Sequence, residues 1–211
     1  MINELNIIDQ VPELARLLVI EMQRIQKPQS DLMSTSEAFR EYGQAWVKRL
    51  LADGLLKVTK HGNRKMLSRS EMERAKAKEN AAASGLADRP IHWIVDDCAK
   101  FIQREIRRGR RYDGIIMDPP SYGRGPSGEI WKMETSFYPF LQEVAKILSE
   151  DPLFVIINSY TTGLAPSAVA YASDVVFGSR FGGKTEAGEL GLPVKESGLV
   201  LPCGATGRWT P

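Results

Sequence analysis

The sequence has few of the residues that build disulfide frameworks and metal centres. It holds two cysteines, Cys98 and Cys203, and two histidines, His61 and His92, among 211 residues. Two distant cysteines form no paired motif, and two histidines are too few for a histidine-rich metal site. The sequence therefore predicts a protein without a bound metal, in a reducing compartment such as the cytoplasm.

Long apolar runs are absent as well. No uninterrupted apolar stretch approaches the roughly 20 residues that a membrane-spanning helix needs. The first residues, MINELNIIDQVPEL, carry acidic side chains where a secretory signal has a basic region followed by an apolar one. With 43% hydrophobic and 26% charged residues, disordered and fibrous classes are excluded. We expect a cytoplasmic globular protein that has no membrane partner.

Charge and composition change along the chain. Residues 1–78 hold 14 lysines and arginines against 10 acidic residues, whereas residues 79–211 hold 14 against 16. The first part is rich in helix-forming residues, and the second is richer in glycine, proline and short β-type runs. We predict two domains, over residues 1–77 and 78–211.

The first part has a helical pattern interrupted by one hairpin signal. Apolar spacing predicts a helix over residues 11–26. Further along, it predicts two short helices separated by Gly43 and a hairpin that turns at Gly62. Ser70 has the spacing of a capping box with the glutamate three residues later, which predicts the start of another helix there.

Residues 34–75 resemble a small winged helix-turn-helix of the excisionase and MerR type, on the segments SEAFREYGQAWVKRLLADGL and LLKVTKHGNRKML. The resemblance implies that the helix beginning near Gln44 reads DNA and that the hairpin is the wing. Basic side chains would then neutralise phosphates, namely Arg40, Lys48, Arg49, Lys60, Arg64 and Lys65. A solvated helical face without a ligand is the alternative reading.

The second part alternates strand and helix patterns. Strands are predicted over residues 91–95, 112–117, 153–158, 184–188 and 200–203. Helices are predicted over residues 97–108, 134–149 and 165–176. Apolar runs such as GIIM and LFVII are typical of buried parallel strands. This alternation predicts an α/β fold with crossover connections and a parallel sheet.

A proline-rich loop directly follows the strand YDGIIM, with the sequence Asp118-Pro119-Pro120-Ser121-Tyr122. Ligands of open parallel sheets bind at the carboxyl ends of the strands. The two prolines stiffen the loop, so that Asp118 and the Pro119 carbonyl could accept hydrogen bonds from an amine while Tyr122 stacks on a planar base. A rigid exit from the strand with no chemistry is equally compatible with the pattern.

A second polar pair, Asp97 and Cys98, follows the strand predicted at residues 91–95. A carboxylate there could hold the amino group of a ligand or cap the next helix. As a bare pattern, capping is favoured, because aspartate is a preferred N-cap residue.

Residues 78–211 resemble the C-terminal two-thirds of a class I S-adenosylmethionine-dependent methyltransferase, in particular the bacterial group related to large-subunit ribosomal RNA methyltransferases. The resemblance lies in four segments, which occur in the family's order: KENAAASGLADRPIHWIVDDCAKF, REIRRGRRYDGIIMDPPSYGRGPSGEIWK, LFVIINSYTTGL and EAGELGLPVKESGLVLPCGATGRW. It implies a truncated Rossmann-like sheet, S-adenosylmethionine as cofactor, and methyl transfer to a nucleic acid, with RNA as the expected acceptor.

The same resemblance implies roles for individual residues. Asp118, Pro119, Pro120 and Tyr122 would line the pocket where the methyl group meets the acceptor. The acidic residue that holds the adenine amine corresponds to Asp97, with Cys98 beside it.

The sequence departs from the family pattern in two respects. Residues 1–90 contain no strand followed by a glycine-rich turn, and no acidic residue ends a second strand, so the first two strands of the fold are missing. The segment Asn158-Ser159-Tyr160-Thr161 has no cysteine, which argues against a covalent route to the C5 atom of cytosine. Cys203 is predicted to be a buried structural residue.

These departures keep two further readings open. The chain is alternatively a DNA-binding helix-turn-helix protein with a vestigial methyltransferase scaffold. The other interpretation is that the chain is a non-functional hybrid of two unrelated parts. Because it would lack the first two strands, apolar sheet edges near Ile91 and Tyr112 would be exposed, which predicts a homodimer or aggregation.

Overall fold

The computed structural model describes residues 30–124, 128–161, 163–195 and 197–211. They divide into two units, residues 30–96 and residues 97–211. The helix predicted over residues 11–26 lies outside the described residues. None of the described helices is long and apolar enough to cross a lipid bilayer.

The first unit is a small α/β unit with a three-stranded antiparallel sheet. Its elements are β1 (Leu32–Ser34), α1 (Thr35–Tyr42), α2 (Gln44–Ala52), β2 (Thr59–His61), β3 (Arg64–Ser68) and α3 (Arg69–Ala83). The strand order is β1-β3-β2, and the predicted hairpin turns at Gly62, whose φ of 60° favours glycine. The core consists of apolar side chains from β1, β3, the three helices and the segment after α2, namely Met33, Ala38, Val47, Leu50, Leu56, Leu67 and Met72.

Helix α3 begins two residues earlier than the sequence predicts. Ser68, not Ser70, is its N-cap, because Ser68 has the extended backbone of a cap and its hydroxyl accepts a hydrogen bond from the Glu71 N–H at 3.2 Å. Ser70 lies in the first turn of the helix. The helix then runs without interruption past residue 78. The domain limit that the change in charge and composition predicts there stays a prediction.

The prediction of a strand over residues 91–95 is wrong. This segment is irregular, and Ile91, Ile94 and Val95 are 38%, 58% and 46% exposed. A strand needs a hydrogen-bonded neighbour, and no strand described in the first unit pairs with this apolar run.

The second unit contains the remaining elements. They are α4 (Cys98–Arg107), β4 (Gly114–Met117), β5 (Tyr122–Arg124), β6 (Ile130–Lys132), α5 (Met133–Ala145), β7 (Phe154–Ser159), α6 (Pro166–Ser173), a π-helical turn (Asp174–Gly178), α7 (Ser179–Phe181), β8 (Lys184–Pro193) and β9 (Val200–Thr210). The main sheet has the order β4-β7-β9-β8, while β5 and β6 form a separate hairpin. The predicted α/β class is confirmed.

The main sheet is mixed rather than parallel throughout. Only β4 and β7 are parallel, and β9 runs antiparallel to both β7 and β8. The connection between β8 and β9 covers only residues 194–199, which is too short for a crossover and long enough for a hairpin. On the inner face, Val155, Ile157 and Trp209 are at most 1% exposed and pack against the helices.

A buried carboxylate joins α4 to the strand that follows it. Glu105 is 2% exposed, accepts a hydrogen bond from the Tyr112 hydroxyl at 2.5 Å and pairs with the Arg108 guanidinium at 2.9 Å. The Tyr112 hydrogen bond, together with Arg108 and Arg110, holds the pKa of Glu105 below its ordinary value of 4.5, although burial alone would raise it.

This lowered pKa predicts an acid-sensitive contribution to folding. The Glu105 network stabilises the unit above the unfolded pKa, and the contribution is lost as pH falls through the lower folded pKa. Below about pH 4.5, the free energy of unfolding of the Glu105→Gln variant should therefore fall less steeply with pH than that of the unaltered chain. Urea titrations at a series of pH values across this range measure the free energy of unfolding. Glu186→Gln, whose side chain is 80% exposed, is the control, and equal slopes for all three proteins would contradict the prediction.

Candidate functional site

A cavity of about 550 Å³ lies at the carboxyl end of β4. Its walls come from the start of α4, the end of β4 with the loop that follows, the β5–β6 hairpin and one side chain of α5, namely residues 97–99, 116–120, 123–124, 129–131 and Phe140. No cluster of three or more potential metal ligands occurs among the described residues.

The proline loop forms one wall of this cavity. Met117 ends β4, and neither proline has an N–H with which to continue the ladder, so the chain leaves the sheet here. Asp118, Pro119 and Pro120 all line the cavity, as their position after the strand suggests. Pro119 is buried, whereas Asp118 is exposed. Rigid backbone on one side therefore presents a carboxylate to the cavity.

Tyr122 has a different environment. It is the first residue of β5, lies opposite Lys132 in the hairpin and is not among the residues that line the cavity. A direct contact between Tyr122 and a ligand stays a prediction.

Trp131 holds the proline loop in place, and sequence reasoning missed it. Its indole N–H donates to the Pro120 carbonyl at 2.6 Å, and its ring packs edge-on against Phe140 with centroids 5.4 Å apart. It lies opposite Gly123 across the hairpin. The only signal in the sequence was an aromatic residue in the β-type run after the loop. Because the Pro120 carbonyl is occupied, we treat Trp131 as a positioning residue for the loop.

Asp97 and Cys98 both line the opposite wall. The Asp97 carboxylate accepts a hydrogen bond from the Lys100 N–H at 2.9 Å, which is the capping role that the bare pattern favours. Burial of the sulfur and the negative charge of Asp97 both raise the pKa of the Cys98 thiol. A raised pKa disfavours the thiolate, which is the nucleophilic form of cysteine.

The cavity combines apolar walls with carboxylates. Ile116, Ile130 and Trp131 supply apolar surface. Among the charged lining residues, three carboxylates outnumber one guanidinium, namely Asp97, Asp118, Glu129 and Arg124. At the rim, Lys100 forms an ion pair with Glu129 at 2.9 Å and thereby joins α4 to the β5–β6 hairpin. This environment suits a ligand with a planar apolar part, hydrogen-bond donors and a positive charge.

The end of β7 is linked to the proline loop through hydroxyl groups. The Ser159 hydroxyl donates to the Thr161 oxygen at 2.9 Å, and the Ser121 and Thr161 hydroxyl oxygens are also 2.9 Å apart. Cys203 lies elsewhere, on β9, half-buried rather than fully buried as predicted. At the end of β7, the described residues 158–161 include no cysteine.

The predicted nucleic-acid-binding residues all lie on the first unit, and all six are exposed. Arg64 and Lys65 border a cleft of about 340 Å³ with the hydroxyl side chains at the start of α1, and Lys60 lies opposite Lys65 in the hairpin. Lys48 lies 5.9 Å from the centre of the Phe39 ring. Arg49, by contrast, is paired with Glu79 at 2.7 Å, and Arg40 is on the last turn of α1.

Three solved structures are similar to this chain. A SAM-dependent methyltransferase from Agrobacterium tumefaciens is 35% identical with a TM-score of 0.57, and the match covers 64% of this chain and 45% of that one. SMU.776, a proposed methyltransferase complexed with SAH, is 21% identical with a TM-score of 0.51, covering 66% of this chain and 36% of that one. A proposed SAM-dependent methyltransferase from Streptococcus mutans is 18% identical with a TM-score of 0.50 and the same coverage.

These matches establish the fold over about two-thirds of the chain. The second and third structures show the fold alone, and the chain spans less than half the length of each of the three. No protein-family model matches the chain, and no curated protein does. The expected methyltransferase-type α/β fold is confirmed, whereas the winged helix-turn-helix and the ribosomal RNA subgroup stay predictions.

Proposed function

We propose that the chain binds S-adenosylmethionine in the cavity at the end of β4 and transfers its methyl group to a nucleic acid, with RNA as the acceptor. The observation that carries the proposal is the Asp118-Pro119-Pro120 loop, which leaves a parallel strand and forms a wall of a cavity of about 550 Å³. A SAM-dependent methyltransferase that is 35% identical over part of its length supports it.

The residues present fit the adenine and methyl ends of this cofactor. Apolar and aromatic walls suit the adenine ring, and the carboxylates suit the adenine amine and the sulfonium charge. Asp97, fixed by its capping bond to Lys100, would hold the amine. When bound, the cofactor supplies an electrophilic methyl group.

The chain's own contribution is mostly positioning. Asp118 would accept a hydrogen bond, and then the proton, from the acceptor group, while the Pro119 carbonyl orients the same group. Trp131 fixes the loop through the Pro120 carbonyl, so these oxygens need no rearrangement when the acceptor arrives. Correct orientation of two reactants can supply roughly 7–11 kcal/mol of a barrier, and direct transfer of the methyl group needs no covalent intermediate with the chain.

The Trp131→Phe variant tests this positioning role. Phenylalanine keeps the aromatic packing against Phe140 but cannot donate to Pro120. We expect methyl transfer to fall roughly 10-fold, because the loop that orients the acceptor loses its hydrogen bond. The affinity for S-adenosylhomocysteine should change less than about twofold, because phenylalanine keeps an aromatic wall to the cavity. Trp46→Phe removes a similar hydrogen bond, to Glu79 at 2.8 Å, and should leave both quantities unchanged. An equal loss in both variants would contradict the role.

Transfer of labelled methyl groups tests the proposed function itself. Purified protein is incubated with S-adenosylmethionine carrying a tritiated methyl group and with total bacterial RNA, single-stranded DNA or duplex DNA. We expect acid-precipitable label in RNA that ribonuclease removes. Label in DNA alone would show that the acceptor is DNA rather than RNA. If neither RNA nor DNA is labelled at high protein concentration, the proposed activity is contradicted.

The first unit supports a second candidate function, the binding of duplex DNA. The observation that favours it is the grouping of Lys60, Arg64 and Lys65 on one hairpin beside the start of α1. A gel shift with duplex DNA should show affinity that falls with salt, and Arg64→Ala should reduce the slope of log affinity against log salt by about 1. Lys76→Ala, on α3, is the matched control. No shift at low salt would exclude this function.

A further inference from the structure

We infer that a second cavity, bordering the same proline loop, receives the acceptor as a single planar base. The cavity measures about 280 Å³ and lies between the first two turns of α5, the segment after β7 and the start of α6. This inference rests on the proposed methyl transfer and deepens it, because it names where the acceptor sits and which chemistry recognises it.

Two hydrogen bonds place this cavity next to the first one. Thr161 lines the second cavity, and its hydroxyl oxygen lies 2.9 Å from that of Ser121. Met133, another lining residue, donates its N–H to the Ser121 carbonyl at 3.0 Å. Ser121 directly follows Pro120, which lines the first cavity. Pro120 lines the first cavity, and its neighbour Ser121 is hydrogen-bonded to two residues that line the second, so this part of the loop connects the walls of the two cavities.

The side chains of the second cavity suit a heteroaromatic ring with an N–H donor. Phe137, 7% exposed, forms an apolar floor, and Tyr138, 44% exposed, offers the face or edge of a phenol ring. Such rings stack on any nucleobase. Thr161 adds one hydroxyl that can donate or accept.

Glu134 supplies a hydrogen-bond acceptor without a partner of its own. It lines the cavity and makes no ion pair within the described ranges. Glu134 lies in the first turn of α5, where a negative charge interacts favourably with the helix dipole. The carboxylate therefore needs no cationic partner. A base with an exocyclic amine, such as adenine, cytosine or guanine, would satisfy it.

The volumes of the two cavities and the access to the second one indicate which ligand each can hold. Cavities that hold a drug-sized molecule measure roughly 300–1,000 Å³. The first cavity falls within this range and the second just below it, so a cofactor suits the first and a single base the second. A base stacked in a helix cannot enter, so the acceptor is either single-stranded or turned out of its helix.

Tyr138→Ala, Glu134→Gln and the control Tyr171→Ala test this assignment. Tyr171 is 74% exposed on α6 and does not line the cavity. We expect Tyr138→Ala to weaken the binding of a 12-nucleotide single-stranded RNA, followed by fluorescence anisotropy without cofactor, roughly 5- to 100-fold, the range that loss of one stacked base gives. Methyl transfer should fall in parallel, and the affinity for S-adenosylhomocysteine should stay unchanged. Tyr138→Phe should restore both, and Tyr171→Ala should behave as the unaltered chain.

The outcomes separate the two proposals. If the unaltered chain transfers methyl groups and Tyr138→Ala and Glu134→Gln do so equally well, the acceptor assignment is overturned and the proposed function stands. If cofactor affinity falls together with RNA affinity, the second cavity is not a separate site. If the unaltered chain neither binds S-adenosylhomocysteine nor transfers methyl groups, both proposals fall.

Discussion

Replacing Asp118 with asparagine should lower methyl transfer to RNA about 100-fold or more. Asparagine has nearly the same shape, so the proline loop and the cavity keep their form. It lacks the negative charge and cannot take the proton that the acceptor group loses, and general acid–base catalysis of this kind contributes roughly 10²- to 10⁴-fold. Asp118 lies on the proline loop at the cavity wall, whereas the other two carboxylates that line the cavity, Asp97 and Glu129, lie on the start of α4 and in the β5–β6 hairpin.

The matched control for this variant is Asp113→Asn. Asp113 precedes the same strand, β4, and is exposed, but it lies at the strand's other end and does not line the cavity. We expect its methyl transfer to equal that of the unaltered chain, and we expect both variants to bind S-adenosylhomocysteine normally. A loss of less than about threefold in Asp118→Asn would show that Asp118 is no catalytic residue.

The largest expected effect on stability belongs to Trp209. Its side chain is 0% exposed, its ring centre lies 5.6 Å from that of Phe177 and 5.9 Å from that of Phe181, and its N–H donates to the Gly182 carbonyl at 3.1 Å. Trp209→Ala would leave a large cavity in the core of the second unit and would remove the hydrogen bond to Gly182. We expect the free energy of unfolding to fall by about 3–5 kcal/mol.

Urea denaturation followed by circular dichroism measures this loss. Trp209→Phe should lose clearly less than Trp209→Ala, because it retains most of the aromatic contact while it gives up the hydrogen bond. A loss below about 1 kcal/mol in Trp209→Ala would mean that β9 does not anchor the sheet to the aromatic cluster around Phe177.

Local patterns were sufficient to predict β4, β7 and α4, which position part of the site, but not the β5–β6 hairpin. The apolar runs GIIM and LFVII became β4 and β7, and the predicted parallel pairing of these two strands is confirmed. The position of Asp118 directly after an apolar strand predicted its place at a cavity, although β4 is an edge strand rather than a buried one. The capping role of Asp97 also followed from residue type alone, because N-cap preference is a short-range property.

Features that depend on distant partners could not be predicted in this way. Residues 91–95 have a β-type composition, yet a strand forms only where another strand offers hydrogen bonds, and pairing is a tertiary property. The cap at Ser68 differs from the predicted Ser70 for a similar reason, since Asp31, 37 residues earlier, accepts a hydrogen bond from the Ser68 hydroxyl at 2.9 Å.

The role of Trp131 is likewise set by the folded hairpin. Its hydrogen bond to Pro120 spans 11 residues and exists only because β5 and β6 fold the chain back over the loop. The second cavity, with Glu134 and Tyr138, combines residues from two helices and one loop. Neither has a sequence motif, so contacts in the folded chain were needed to find them.

Isothermal titration of the chain with S-adenosylhomocysteine tests whether the cavity at the end of β4 binds the cofactor, with Asp97→Asn as the matched variant. Asparagine caps a helix as well as aspartate does, so α4 should stay intact while the negative charge toward the adenine amine is lost. We expect the unaltered chain to bind S-adenosylhomocysteine with micromolar affinity. The affinity should fall about 10-fold in Asp97→Asn, because roughly one hydrogen bond to a charged group is lost. Absence of binding at millimolar ligand would contradict it, because the cavity at the end of β4 would then hold no cofactor.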